Sequence, residues 1–349
     1  KAPPGRTAGK RRKGCPGNGR NREKGVKKGW RILLIILAAL VIIYAVLGLI
    51  PRRDNYPIAN RMMKEGTLPL LIAHGGGNKE FPDNTLEAFY NAYSVDQNVM
   101  METDVSITKD GVLILSHDTT LDRKTNVTGR IIDWNYSDLI TQKVDFSYTN
   151  PTQDGVLNGE RVRFTDENGN ERTPTDVEYP EGVAPRDEKV FLATTLEDLL
   201  TAFPHNRINV EIKQSGELGM TAMKEALRLL EKYDAWDRVV LASFHNEIYA
   251  EYQRLQKAGE VPESFMCSPG VAGVAKFYLL QLFNADLFHN DSMCVFQLPT
   301  EYSIIKLSTE RLVQKMHDHN LAVHFWTIND PEEMEFLIGI GADGIMTDY

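Results

Sequence analysis

Cysteine is scarce in this sequence, which has three cysteines among 349 residues. So few cysteines exclude the small secreted scaffolds that disulfides hold together. Cys267 and Cys294 stand in apolar segments, and we expect both to be free thiols in a hydrophobic core, although a disulfide between them is chemically allowed. Cys15 lies in a basic segment at the N-terminal end. The fold must therefore rest on ordinary hydrophobic packing.

Acidic residues are nearly absent from residues 1–31, which contain twelve Lys or Arg and one acid, Glu23. The whole chain has a net charge of −9, so the remainder is strongly acidic. The richness of the segment in Gly, Pro and Lys predicts a disordered tail. Its positive charge suits the anionic lipids of an inner membrane leaflet. We expect no nucleic-acid partner, because the next segment is membrane-like.

Charged residues are absent from Ile32–Ile50, a run of nineteen residues in which Tyr44 is the one strongly polar group. A helix of this length matches the hydrocarbon core of a bilayer. The preceding positive charge predicts a cytosolic N-terminus, with everything after Pro51 outside. A cleaved secretory signal is the alternative, but the run is long and no small-residue cleavage site follows it. We therefore expect an uncleaved, single-pass anchor in the cell membrane.

The rest of the chain divides into a connector at 51–68 and a large domain at 69–349. From Thr195 onwards predicted strands and helices alternate, which indicates a parallel sheet. With about eight strands, an α/β fold of the closed (β/α)₈ TIM-barrel type is expected. The chain begins at Lys1 and ends at Tyr349 directly after a strand-like run, so we expect clipped ends and a missing C-terminal helix.

The segment 119–192 interrupts this alternation. Its middle part, 145–190, is rich in Asp, Glu, Gly, Pro, Thr and Asn. A structureless loop of this length is unusual inside a compact domain. We therefore predict an inserted small subdomain or a lid over the functional site, with a hairpin candidate at 161–165 followed by a turn at 166–170.

The most informative stretch is 70–118. Its first apolar run ends in His74 and three glycines, which predicts a strand that stops at a site. Asn84, with Glu87 three residues later, predicts the cap of a following helix.

Glu102 and Asp104 are two residues apart in an otherwise apolar strand, so their side chains point to the same face. Two carboxylates on one face repel each other unless a positive group lies between them. A hard divalent cation is the simplest such partner, because Ca²⁺ and Mg²⁺ prefer carboxylate oxygens.

Lys109, Asp110 and Gly111 predict a tight turn after this strand. With a loop at 109 and 110, His117 falls opposite Glu102; with a loop at 110 and 111, it falls opposite Asp104. A solvated hairpin with a surface histidine is the alternative interpretation. The grouping of His, Glu, Asp and His at the ends of consecutive strands favours a functional site.

The chain resembles the glycerophosphodiester phosphodiesterases over about residues 68–349, in an ordered set of motifs. These are His74-x-Gly76, Pro82 to Thr85, Glu102-x-Asp104, Thr108 to Gly111, His117-Asp118, Asn209 to Lys213, Ser243-Phe244, Phe325 to Asn329 and Gly341 to Asp348. The resemblance implies the same barrel, with an insertion near 119–192. It also implies hydrolysis of glycerophosphodiesters to glycerol 3-phosphate and an alcohol.

The resemblance also implies roles for individual residues. A divalent metal is expected on Glu102, Asp104 and Glu211, with Ca²⁺ the first choice and Mg²⁺ the second for an all-oxygen site outside the cytosol. His74 and His117 are the expected acid–base pair, since imidazole titrates near neutral pH.

Three further side chains are expected to bind substrate. Lys213 lies at i+2 from Glu211 on one face of a strand, where it can balance phosphate charge or orient Glu211. Trp326 and Phe244 are placed to contact the carbon skeleton of a substrate. The alternatives are an internal Glu–Lys brace for the first pair and ordinary core packing for the aromatic residues.

Two positions depart from the family pattern. Gly75 stands where the family has an arginine that grips the phosphate, and Asp83 replaces a glutamate. Lys213, the metal, or Arg123 or Lys124 are candidates to compensate, and the glycine run can offer N–H groups to phosphate or admit a bulkier head group.

Three functions therefore remain in view. The first is a membrane-anchored phosphodiesterase that acts on glycerophosphodiesters or related phospholipid head groups. The second is a lyase-type phospholipase that forms a cyclic phosphate. The third is a catalytically inactive barrel that binds a head group, supported only by the missing arginine.

Overall fold

A computed structural model describes residues 19–149 and 162–349. The chain divides between Pro51 and Arg52 into two units. The first contains one helix, α1 (Gly19–Leu49), in which Lys28–Leu49 has a mean hydropathy of 3.2 and is long and apolar enough to span a membrane. The described residues 19–31 of the segment predicted to be disordered lie in α1. Residues 1–18 lie outside the described part.

The second unit contains the following strands, in chain order: β1 (Leu70–His74), β2 (Met100–Ile107), β3 (Leu113–Leu115), β4 (Tyr148–Thr149), β5 (Val162–Arg163), β6 (Ile208–Ile212), β7 (Val239–Ala242), β8 (Met266–Cys267), β9 (Val295–Leu298), β10 (Glu301–Tyr302), β11 (Ile305–Lys306), β12 (Ala322–Phe325) and β13 (Gly344–Thr347). Eight of the described strands pair in parallel in the order β8-β7-β6-β2-β1-β13-β12-β9. Cys294 N donates a hydrogen bond of 3.1 Å to Cys267 O between the two end strands, so the barrel is nearly closed. The predicted TIM barrel is confirmed.

Helices cover the outside of this barrel. They are α2 (Leu86–Val95), α3 (Tyr136–Thr141), α4 (Leu196–Ala202), α5 (Gly216–Lys232), α6 (Asn246–Ala258), α7 (Val271–Leu282), α8 (Glu310–His317) and α9 (Pro331–Gly339). Three short 3₁₀ turns lie at Ile131–Asp133, Pro174–Asp176 and Ala285–Phe288. Thr195 and Asp198 form a capping box at the start of α4.

The cap predicted for α2 is wrong. Thr85 is the N-cap, and its hydroxyl accepts a hydrogen bond from Ala88 N. Asn84 instead has a left-handed φ of 61°. That conformation turns its side chain away from the helix and into the barrel.

Apolar side chains fill the inside of the barrel below its mouth. They include Ile72, Met100, Val240, Met266, Val295 and Met346, all of them buried. Cys267 and Cys294 are buried free thiols, as the sequence predicts.

Residues 52–63 close the other end of the barrel. Tyr56 and Met62 are 2% and 0% exposed. The Tyr56 hydroxyl donates to Ser264 O at 2.9 Å, and Asn60 Nδ2 donates to Cys294 O at 2.7 Å. Ser264 precedes β8 and Cys294 precedes β9, so residues 52–63 form part of the base of the barrel.

The insertion packs beside the barrel. Tyr179 meets Tyr90 with ring centroids 5.3 Å apart, and Arg186 pairs with the buried Glu87 at 3.3 Å. β5 pairs with β4, while the predicted turn at 166–170 closes on itself with Asp166 N donating to Asn170 O. Residue 161 of the hairpin candidate lies outside the described residues.

The β2–β3 hairpin has neither of the two expected registers. Val105 pairs with Leu115, and Ile107 pairs with Leu113. Thr108 N donates to Val112 O, which leaves a three-residue loop at 109–111. His117 consequently lies two residues beyond β3 and opposite neither carboxylate in the ladder.

Candidate active site

A cavity of about 320 Å³ opens at the carboxyl ends of the parallel strands. Such cavities hold the active sites of TIM barrels. All eight predicted site residues line it: His74, Glu102, Asp104, His117, Glu211, Lys213, Phe244 and Trp326. No described residue of 119–192 lines the cavity. Tyr90 and Glu87 of α2 contact the insertion, which favours the small subdomain over the lid among the two predicted alternatives.

Three carboxylates converge on one wall of the cavity. Glu102 and Asp104 alternate along β2, and Glu211 on β6 is the register partner of Asp104. One oxygen from each carboxylate lies within 4.8 Å of the others. Because parallel strands set register partners side by side, the i, i+2 spacing in β2 and the pairing with β6 bring the group together.

Lys213 is the one described lysine or arginine that lines the cavity. Its Nζ lies 3.0 Å from Asp104 Oδ1 and 2.9 Å from Glu211 Oε1. Burial lowers the pKa of Lys213, but the charges of Asp104 and Glu211 outweigh this and raise it well above the ordinary value. The lysine stays charged and balances one carboxylate of the three.

Glu102 has no lysine or arginine beside it in the described structure. Burial raises its pKa to about 8, and the charge of Asp104 adds to the rise. Gly75 N donates a hydrogen bond of 3.0 Å to Glu102 Oε2. This excess of buried carboxylate, all in oxygen donors, fits a hard divalent cation.

Asn84 orients this cluster, and the sequence analysis missed it. Its Nδ2 donates to Asp104 Oδ2 at 3.1 Å. Its Oδ1 accepts from Asp104 N at 3.1 Å and from Thr103 Oγ1 at 2.6 Å. The only signal for this role was the asparagine inside the Pro82 to Thr85 motif.

His74 is held from behind by Asp348, a second residue that the sequence analysis did not assign. His74 Nδ1 and Asp348 Oδ1 are 2.7 Å apart, and Asn329 Nδ2 donates to Asp348 Oδ2 at 2.8 Å. His74 Nε2 lies 3.9 Å from Glu102 Oε2. Burial lowers the pKa of His74, but the hydrogen bond to Asp348 and the charge of Glu102 raise it overall to about 9.

His117 is half exposed, and its Nδ1 lies 3.0 Å from Asp118 Oδ1. Arg123 donates two hydrogen bonds to Asp118, at 2.7 and 2.8 Å. Lys124 pairs with Asp83. Both rim cations therefore have partners outside the cavity lining, which weakens them as replacements for the missing arginine.

The glycine run has no free N–H group for a phosphate. Gly75 N donates to Glu102, Gly76 N to Ala73 O and Gly77 N to His74 O. Gly75 has a φ of +56°, and a Cβ at this position would lie 2.8 Å from Asp83 Cβ. This backbone therefore excludes an arginine at position 75.

The opposite wall is aromatic. Phe244 and Trp326 meet edge to face, with ring centroids 6.2 Å apart and planes at 83°. Phe244 is 49% exposed, and its ring lies 6.0 Å from Lys213 Nζ. The cavity thus has a charged wall for an anion and an apolar wall for carbon groups.

The fold and the site define a TIM-barrel enzyme with an acidic, oxygen-rich cluster and two histidines lining its mouth. The model of the glycerophosphoryl diester phosphodiesterase family matches residues 74–349, and the chain belongs to this family. It is a glycerophosphodiester phosphodiesterase, in a family that generally depends on a divalent metal.

Similar proteins agree in length with the large domain. A glycerophosphodiester phosphodiesterase of Caldanaerobacter subterraneus subsp. tengcongensis is 26% identical over 279 residues, which cover 80% of this chain and 93% of that protein. Lysophospholipase D GDPD3 of Homo sapiens is 24% identical over 297 residues, covering 80% of this chain and 82% of that protein.

Solved structures agree with the fold. The glycerophosphoryl diester phosphodiesterase domain of a Mycobacterium tuberculosis protein has a TM-score of 0.57 at 17% identity, covering 80% of this chain and 96% of that one. An Oleispira antarctica phosphodiesterase in complex with its product sn-glycerol-3-phosphate has a TM-score of 0.54 at 19% identity, covering 81% and 94%.

Proposed function

We propose that this protein hydrolyses glycerophosphodiesters to glycerol 3-phosphate and an alcohol, with a divalent metal, outside the cytosolic face of the membrane. The observation that carries the proposal is the meeting of three carboxylates, a lysine and two histidines in one cavity at the barrel mouth. Family membership supplies the reaction class.

Glu102, Asp104 and Glu211 are the proposed metal ligands, with Ca²⁺ the first choice and Mg²⁺ the second. A cation held there would neutralise the phosphate and stabilise charge in the transition state. Lys213 supplies the protein's own cation to the phosphate. Asn84 keeps the Asp104 carboxylate in position.

His74 and His117 are the proposed acid and base. Asp348 holds one nitrogen of His74, so the other faces the cavity. His117 lines the same cavity from the β3 side. One histidine takes a proton from water and the other gives a proton to the leaving alcohol. Phe244 and Trp326 pack against the carbon groups of the substrate.

The assay uses the full chain in detergent, with glycerophosphocholine, glycerophosphoethanolamine and glycerophosphoglycerol. Each is tested with Ca²⁺, Mg²⁺ or chelator, beside His117→Ala. We expect metal-dependent release of glycerol phosphate and a loss of about 10²–10⁴-fold in the variant. A cyclic phosphate product would assign the lyase reaction instead, and metal binding without turnover would favour a binding role.

We further propose that α1 anchors the protein as a single-pass membrane segment with a cytosolic N-terminus. The support is its length, its hydropathy of 3.2 and the positive charge before it. A membrane-impermeant maleimide on intact cells tests this. It should label Val95→Cys, which is 73% exposed on the barrel, and leave Cys15 unlabelled. Labelling of Cys15 alone would reverse the orientation, and a secreted, shortened product would indicate a cleaved signal.

A further inference from the structure

The floor of the cavity is formed by two amides. Asn209 on β6 and Gln297 on β9 both line it. Gln297 Nε2 donates a hydrogen bond of 2.6 Å to Asn209 Oδ1. These strands are not neighbours in the barrel, so the bond crosses its interior. Val295, two residues before Gln297, belongs to the apolar core below.

The remaining polar groups of this pair face the cavity, where an occupant can bond to them. Asn209 is 2% exposed, and a buried amide destabilises a fold unless its groups are hydrogen-bonded. The mutual bond satisfies one group of each residue. Among the described residues, the Asn209 amide N–H group and the Gln297 carbonyl have no other protein partner. In either orientation of the two amides, the pair leaves one donor and one acceptor for an occupant of the cavity.

The pair lies on the base side of Asp104 and Glu211 and level with Glu102. Asn209 is the register partner of Glu102 and precedes Glu211 by two residues, or about 6.6 Å of strand rise. A phosphate placed beside Lys213 therefore has one ester arm toward the floor. The other arm points to the rim, where Phe244 and Trp326 form the aromatic wall.

We propose that Asn209 and Gln297 bind the hydroxyl groups of the glycerol arm and so determine which arm stays on the phosphate. The proposal rests on the proposed function. Glycerol offers two neighbouring hydroxyls, each a donor and an acceptor, which match the free donor and acceptor of the pair. An ammonium head group can donate but not accept. The pair therefore selects glycerol at the floor and directs the leaving alcohol to the rim.

The test compares two substrates in the full chain. Glycerophosphoethanolamine carries both hydroxyls, and n-propyl phosphoethanolamine lacks them. Gln297→Met keeps the side-chain length and removes the hydrogen bonds. We expect the ratio of kcat/KM for the first substrate over the second to fall about 10-fold, the cost of roughly one hydrogen bond, mainly through KM. Asn209→Ser breaks the same hydrogen bond from the β6 side and should lower the kcat/KM ratio by the same factor.

Inhibition by products gives a second readout. The Ki of glycerol 3-phosphate should rise about 10-fold in Gln297→Met, while the Ki of propyl phosphate stays unchanged. Glu217→Gln, at an exposed position on α5 outside the cavity lining, should leave the substrate ratio as in the wild type. Equal losses on both substrates, or an unchanged ratio in both floor variants, would overturn the inference. A wild type without turnover but with this difference in product affinity would count against the proposed function alone.

Discussion

Buried negative charge is balanced by cations at the base of the barrel and is unbalanced at its mouth. At the base, Asp286 is fully buried and pairs with Arg52 at 2.5 Å, Lys315 at 3.4 Å and His319 at 3.3 Å. At the mouth, three carboxylates share a single lysine.

The difference separates structure from function. A buried acid surrounded by cations has its charge balanced, and removing it destabilises the fold because the cations stay buried. A buried acidic cluster with too few cations is strained until a ligand arrives, which is typical of functional sites. Removing a carboxylate should therefore have opposite consequences for stability at the two ends.

The largest expected effect is at the mouth. Glu102→Gln should lower metal-dependent activity by at least about 100-fold. Loss of a residue that only supports a metal ligand already costs up to about 100-fold, and Glu102 is itself a proposed ligand. In chelator at pH 9 the same variant should be more stable than the wild type, by at least about 1 kcal/mol. Burial and the charge of Asp104 raise the pKa of Glu102 to about 8, so its stabilising contribution is lost as pH rises from about 4.5 through 8.

Activity and chemical denaturation, each with and without metal, measure these two effects. Glu217→Gln is the matched control, since Glu217 is exposed on α5 and lies outside the cavity lining. A Glu102→Gln variant that is less stable in chelator would show that the mouth is not strained.

At the base the expected effect is on stability alone. Asp286→Asn removes the buried carboxylate that pairs with Arg52, Lys315 and His319, so it should cost about 3–5 kcal/mol of unfolding free energy. Activity per folded molecule should stay at the wild-type level. Denaturant unfolding beside the exposed Asp318→Asn measures this, and a cost as small as that of the control would contradict the comparison.

A smaller effect on activity is expected behind His74. Asp348→Asn replaces an acceptor that fixes the imidazole, so kcat should fall on the order of 10²-fold, as for a misplaced catalytic group, with KM little changed. Kinetics on glycerophosphoethanolamine measure it, and Asp348→Glu should recover part of the rate. An unchanged kcat in Asp348→Asn would remove Asp348 from the orienting role.

The sequence predicted the part of the site that obeys local rules. Glu102 and Asp104 follow from strand periodicity, and the barrel follows from the alternation of strands and helices. The three-residue hairpin loop escaped prediction, because loop lengths that differ by one residue are equally compatible with that sequence.

Asn84, Asp348 and Gln297 act through partners at least 20 positions away in the chain, so the periodicity of strands and helices does not reveal their roles. The structure of the barrel base also depends on contacts between residues that are distant in the chain. The contacts of Tyr56 and Asn60 join residues more than 200 positions apart, so a segment expected to be a connector became part of the barrel.

The smallest expected effect concerns His289 at the base of the barrel, whose imidazole is neutral in the folded protein. Burial lowers its pKa to about 4, partly opposed by Asp291, and Asn55 Nδ2 lies 3.2 Å from its Nδ1. Because the native pKa lies below the unfolded value of about 6.5, the unfolded chain binds a proton that the native chain does not. The contribution of His289 is therefore complete above pH 6.5 and is lost as pH falls toward 4.

Between pH 7.5 and 5.5 the loss amounts to about 1 kcal/mol. His74 shifts in the other direction, with a pKa of about 9, so its contribution declines as pH rises above 6.5. Comparing the wild type with His289→Gln in denaturant unfolding at several pH values cancels the His74 contribution, which both proteins share. The wild type should lose more stability than the variant on acidification. Parallel pH profiles would mean that the pKa of His289 is the same in the folded and the unfolded chain. A positive charge at this position of the base would then cost no stability.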